Sequence, residues 1–142
     1  MSYRTQPQPL SPSDERTWAM LAHLSVLLNL VSGALGLIAA IAIYLIYKDR
    51  SRYVAYHSLQ SFFFQLIFWL GAGAVAGAAW AISGVLTTLF IGCLLMPIAL
   101  LITLFPLLAL VYGIVGAIQC SQGQDFRYWL VGDWVRSTLT GE

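Results

Sequence analysis

The stretch Tyr53–Gln124 reads YVAYHSLQSFFFQLIFWLGAGAVAGAAWAISGVLTTLFIGCLLMPIALLITLFPLLALVYGIVGAIQCSQGQ. It runs for 72 residues without a single Asp, Glu, Lys or Arg. A helix crosses a ~30 Å hydrocarbon core with ~20 apolar residues, so this run holds two crossings and a turn. The turn is expected at Ile82–Thr88, where Ser83-Gly84 is a turn dipeptide followed by two β-branched threonines. That divides the run into a helix over roughly 54–82 and another over roughly 86–119. The second contains Pro97 and Pro106, which predict a kink at one or both.

Upstream lies another uncharged run, the 31 residues Thr17–Tyr47. It reads either as one long tilted helix or as a short hairpin, with arms over roughly 16–30 and 35–48. Asn29-Leu30-Val31-Ser32-Gly33 has turn chemistry and Gly36 adds a second weak point. Each arm would be ~22 Å long, just short of a full core.

All formal charge sits in three segments: Arg4 to Arg16, Lys48 to Arg52, and Asp125 to Glu142. In the hairpin reading all seven basic residues share one side of the membrane, which satisfies the bias toward cytoplasmic Lys and Arg completely. The expected fold is therefore an all-α integral membrane protein of four hydrophobic helices in two hairpins, followed by a C-terminal interfacial helix. Three spans are the alternative. Both termini and the charged loops are expected in the cytoplasm of a bacterium, with the chain multi-pass in its inner membrane. The domain reading is a disordered polar tail over 1–13, a transmembrane domain over 14–120 and a cytoplasmic amphipathic tail over 121–142.

Composition supports the membrane assignment. Hydrophobic residues make up 59% of the 142 and charged ones 9%, with a mean hydropathy of +0.78. Soluble domains run near 25% charged, so this chain lacks the polar surface to cover a water-soluble globule. A cytosolic enzyme, a nucleic-acid binder and a secreted disulfide scaffold are excluded. No secretory leader is expected, because no basic segment runs directly into an apolar core and a small-residue cleavage site.

Polar residues inside the apolar runs are the candidate sites. His57, Ser61 and Gln65 recur at i, i+4 and i+8 on one helix face, with Gln60 beside them. The stripe reads either as interhelical hydrogen bonding that fixes packing or as a hydrated polar path. His23 lies one turn inside the interface, at nearly the depth of His57 in the hairpin reading. Two histidines without a nearby acidic residue or cysteine make an incomplete metal site, so no metal and no cofactor is expected. Cys93 and Cys120 would stand ~40 Å apart on one helix and cannot pair. Gly73 and Gly77 form a GxxxG pair whose partner is either the thin face of Gly113 and Gly116 or another subunit. In the tail, Phe126, Tyr128, Trp129 and Trp134 alternate with Arg127 and Arg136, as in a helix lying at the lipid interface or docking another protein. No buried carboxylate pair, nucleophile triad or phosphate-binding glycine loop is present, so no enzyme is expected.

Several short motifs carry a resemblance. Asp14-Glu15-Arg16-Thr17-Trp18-Ala19-Met20-Leu21-Ala22-His23-Leu24-Ser25, Ile43-Tyr44-Leu45-Ile46-Tyr47-Lys48-Asp49, Arg52-Tyr53-Val54-Ala55-Tyr56-His57-Ser58-Leu59-Gln60-Ser61 with Phe64-Gln65, and Gly123-Gln124-Asp125-Phe126-Arg127-Tyr128 occur in that order. Together they resemble a bacterial family of small membrane proteins of unknown function. That family is similar to the twenty-kilodalton subunit of the chloroplast inner-envelope import translocon. The chain departs from it at Leu59, Gln60 and Phe63, where many members carry polar groups, and at Trp129, where a proline is common. The resemblance implies four helices with both termini on one side, and work within a larger assembly.

The function expected from the sequence is that of a non-enzymatic accessory or assembly subunit of a larger membrane complex, whether a translocon, a respiratory or a photosynthetic one. Its partners would be membrane lipids and other integral membrane subunits, not nucleic acid or a soluble small molecule. A translocation or permeation component built on the polar stripe is the alternative, and binding of a lipid or pigment between helices is a further one.

Overall fold

The computed structural model describes residues 8–141. Every regular element among them is helical. Helix α1, Pro12–Leu24, starts where Ser11 accepts a hydrogen bond from the Asp14 N–H at 3.2 Å, with Pro12 in the first turn and Asp14 and Glu15 facing the positive helix end. One 3₁₀ turn, Ser25–Leu28, carries the chain into α2, Asn29–Ser32. Gly33 then takes a left-handed conformation, φ 77°, and reverses the chain into α3, Leu35–Tyr47. The first uncharged run is thus a hairpin turning inside the Asn29–Gly36 segment. Of the expected N-terminal tail, residues 1–7 lie outside the described residues. Gln8 and Leu10 bond to Arg50 in the connection after α3, and α1 has already begun at Pro12.

Ser51 caps α4, Arg52–Gln65, by accepting from the Val54 N–H. A π-helical stretch, Leu66–Gly71, joins it to α5, Ala72–Leu86, and a 3₁₀ turn follows at Thr87–Leu89. Together these form one apolar helix of 38 residues, Arg52–Leu89. Phe90, φ 61°, makes the reversal into α6, Ile91–Ser121, which runs through Pro97 and Pro106 without ending. The turn expected over Ile82–Thr88 begins at the end of that window, at Thr87, and not at its Ser83-Gly84 dipeptide. Ser83 donates its hydroxyl back to the Ala79 carbonyl and Thr87 donates to the Ser83 carbonyl, so both side chains are satisfied within the helix. The reversal comes later, where Gly92 lets α6 approach Ser83 and Thr87 closely.

Of the four hydrophobic helices expected, two have the length of a membrane span, and the first hairpin is short. Among the described residues, only Arg52–Leu89 and Ile91–Ser121 are long and apolar enough to cross a membrane. The reason is length: α3 has 13 residues, ~20 Å. The short first hairpin packs on the charged end alone, with α1 against α4 and α6, and α3 against α4. Beyond it α5 and α6 pair with each other and otherwise expose Val75, Val85, Leu94 and Leu101.

The small-residue faces also sort differently from expectation. Gly113 and Gly116 are a thin face, but against α1 and the tail: a Cβ at Gly113 would strike Val26, and one at Gly116 would strike Phe126 and His23. A Cβ at Gly73 or Gly77 would meet nothing within 4 Å. Gly77→Leu should therefore not destabilise the monomer, and loss of a mid-helix glycine should raise its stability by up to ~1 kcal/mol. A melting curve in detergent displaced to lower temperature would show that these glycines have a partner.

The tail is likewise only half interfacial. Phe126 and Tyr128 turn inward, and Tyr128 stacks on Phe64 with ring centroids 3.9 Å apart. Trp129 and Trp134 stay outside, 68% and 53% exposed, as an interfacial belt would require. Helix α7, Gly132–Thr140, buries Val135, and its Arg136 lies over the Tyr56 ring at 4.7 Å. Two exposed ion pairs, Arg127 with Asp133 and Arg136 with Asp125, both at 2.6 Å, brace this segment.

Candidate functional site

The polar stripe of α4 faces inward along its whole length. His57, Gln60, Ser61 and Gln65 are all fully or almost fully buried. Polar groups in an apolar interior must find partners, and these are met in two tiers.

The deeper tier centres on Gln65. Its amide nitrogen donates to the hydroxyls of Ser25 at 3.0 Å and Ser61 at 3.1 Å, and its oxygen accepts from Asn29 Nδ2 at 2.9 Å. Asn29 Oδ1 in turn accepts from the Gly36 N–H at 2.7 Å. Ser25 and Ser61 both donate to the Ala22 carbonyl at 2.8 Å. Three elements, α1–α2, α3 and α4, are therefore pinned at one point. Immediately beyond Gln65 the helix widens into its π stretch, and Trp69 there donates to the Gly33 carbonyl at the hairpin turn.

The second tier lies toward the charged end and contains His23, His57, Gln60, Cys120 and Tyr128. Gln60 sets its proton arrangement. Its amide nitrogen donates to the Phe126 carbonyl at 2.9 Å and its oxygen accepts from the Tyr128 N–H at 3.2 Å. Two backbone groups thus fix which way the amide points. Its second N–H then meets His57 Nδ1 at 3.0 Å, so that nitrogen is a lone-pair acceptor and the ring proton sits on Nε2. His57 Nε2 has no hydrogen-bond partner among the described residues and lies among the rings of Tyr53 and Tyr56. His23 Nε2, 3.2 Å from the same Nδ1, must donate to it, which leaves His23 Nδ1 to accept the Tyr128 hydroxyl at 3.0 Å. Burial pushes the Tyr128 phenol up from its ordinary range, so it keeps its proton.

Cys120 completes the group. Its Sγ is 3.3 Å from His57 Nδ1, and the thiol is fully buried. In the sequence no cysteine stands near either histidine. The structure corrects this: Cys120 stands one residue from the end of α6, on the charged side, and so arrives at the depth of His23 and His57. Its distance from the helix end was the available signal. In the sequence Asn29 and Gly36 carry only turn chemistry and Ser25 only closes the first motif; nothing in their spacing shows that they meet Gln65.

The remaining candidates lie apart from these tiers. Arg127, Trp129, Trp134 and Arg136 are on the outer face of the tail, and Gly73 and Gly77 are on the open side of α5.

A family model described as the magnetosome magnetite crystal formation protein family, MamF/MmsF, matches residues 14–135. No curated protein and no solved structure matches the chain. The match agrees with a small bacterial membrane-associated family, while the likeness to the chloroplast translocon finds no support.

Proposed function

The chain belongs to the MamF/MmsF magnetosome magnetite crystal formation family, and we propose that it serves crystal formation as a non-enzymatic membrane subunit. The observation that carries this is the extent of the family match, residues 14–135, which takes in both hairpins, the inserted tail and the start of α7. The geometry supports an assembly role over a transport one. The polar stripe is bonded within the bundle and buried, as a packing seam would be, so among the described residues these side chains present no polar wall to a solute. The bare sides of α5 and α6 suit lipid or neighbouring membrane subunits.

The same geometry argues against a direct grip on mineral at the far turn. Iron oxide is a hard surface that binds oxygen anions. The Thr87–Phe90 reversal offers hydroxyls only, and the acidic residues of the described chain all lie at the opposite end. The role we favour is therefore organisation of other membrane components.

The test is complementation. A magnetite-forming bacterium lacking its own member of the family would be given this chain, and crystal dimensions measured by electron microscopy. A shift toward wild-type size, with membrane partners recovered in mild detergent, is expected. Correctly inserted protein that leaves crystals unchanged would overturn the proposal.

Orientation is tested separately. With Cys93 and Cys120 replaced, single cysteines at Asp49 and Thr138 should resist an impermeant thiol reagent added outside intact cells, and one at Thr88, in the far reversal, should react. The reverse pattern would turn the charged end outward.

A further inference from the structure

We propose that His23, His57 and Cys120 form a buried binding site for one soft monovalent metal ion, with cuprous copper the species that fits. Three helices converge here, α1, α4 and α6, each supplying one ligand, and all three side chains are fully buried. The ligand atoms lie within 4.8 Å of one another. His57 Nδ1 is 3.2 Å from His23 Nε2 and 3.3 Å from Cys120 Sγ. Donors bound ~2.0–2.3 Å from a common ion stand about 3.3–3.7 Å apart at tetrahedral to trigonal angles, so both pairs need open by only a few tenths of an ångström to share one.

The hydrogen bonding points the same way. His57 Nδ1 has one lone pair, yet the Gln60 amide, the His23 ring and the Cys120 thiol all converge on it. One acceptor cannot satisfy three donors; an ion that takes this lone pair replaces the His23 and Cys120 protons, and the Gln60 amide nitrogen keeps its bond to the Phe126 carbonyl alone.

Charge selects the ion. Binding removes one proton, from the Cys120 thiol. His23 loses none: its proton moves from Nε2 to Nδ1, where the Tyr128 oxygen, until then the donor, accepts it. A monovalent ion with one thiolate and two neutral imidazoles is electrically neutral, which an apolar interior tolerates. A divalent ion would leave a net positive charge there. The Asp125 carboxylate is exposed and already paired with Arg136. Thiolate and imidazole are also ligands that soft ions accept, and the described cluster supplies three where structural zinc takes four.

The site does not depend on the role proposed above, and its test has a separate readout. Full-length protein in mild detergent, kept anaerobic, would be titrated with cuprous ion against a chromogenic cuprous chelator. One ion per chain is expected, and Cys120→Ser should lower affinity about 100-fold or more, while Cys93→Ser leaves it unchanged. Tyr128→Phe, which keeps the ring stack but removes the partner of His23, should cost roughly 10–100-fold. X-ray absorption at the copper edge should show one sulfur and two imidazole nitrogens, which keeps the question decidable if Cys120→Ser fails to fold. Wild-type protein that yields all its copper to the chelator, absorption without sulfur, wild-type affinity in a folded Cys120→Ser, or tighter retention of zinc than of cuprous ion would each overturn the proposal.

Discussion

Gln60→Leu is expected to release the tail from the bundle. The substitution roughly conserves volume but strips the partners from the Phe126 carbonyl and the Tyr128 N–H, both inside the core. An orphaned buried polar group costs about 1–3 kcal/mol, so the loss should be about 2–6 kcal/mol. It should be concentrated in residues 124–140, because the Gln65 tier does not use Gln60. Arg127 and Arg136 are at least partly exposed, so trypsin reports the change directly. Cleavage at these two positions should accelerate strongly while the helical body stays intact. A variant cleaved at the wild-type rate would show that the stack of Tyr128 on Phe64 holds the tail without Gln60.

Gly36→Val should have a comparable effect on the first hairpin. A Cβ at Gly36 would collide with the Ser25 carbonyl and come within 2.6 Å of both Asn29 Oδ1 and Gln65 Oε1. Neither amide can retreat without giving up a buried hydrogen bond, and the Ser25 carbonyl is backbone. Overpacking costs about 1–3 kcal/mol and each of the two orphaned partners about as much again, so ~3–9 kcal/mol is expected. The contrast with Gly77→Leu is the control, since both place a branched side chain on an apolar helix. Thermal denaturation in detergent should separate the two variants widely. Equal melting curves would mean that α3 is not seated against Gln65.

How much of this was readable beforehand depends on whether the determinant is local. The break in the first uncharged run follows from turn chemistry around Gly33, and the start of α4 follows from Ser51 just before an apolar run; both are near-neighbour effects. Ser83-Gly84 failed for the same kind of reason in reverse. Inside an apolar helix a serine bonds back one turn, and nothing nearby forces the chain to leave the helix. The tail alternation was legible, but which members face inward is decided by Phe64, Gln60 and Gly116 on other helices. The candidate site was half visible. The α4 stripe follows from helical spacing, whereas the meeting of Cys120 with the histidines needs the relative depth of three helix ends.

The half-height first hairpin gives the molecule a taper. At the charged end the cross-section holds α1, α3, α4, α6 and the tail; beyond the Gln65 tier it holds α5 and α6 alone. Whichever leaflet receives the broad end is the more crowded of the two. A bilayer relieves such asymmetry by bending, so that the crowded leaflet lies on the convex side. Many copies side by side would then favour a closed, strongly curved membrane over a flat sheet, and the protein would concentrate on small vesicles.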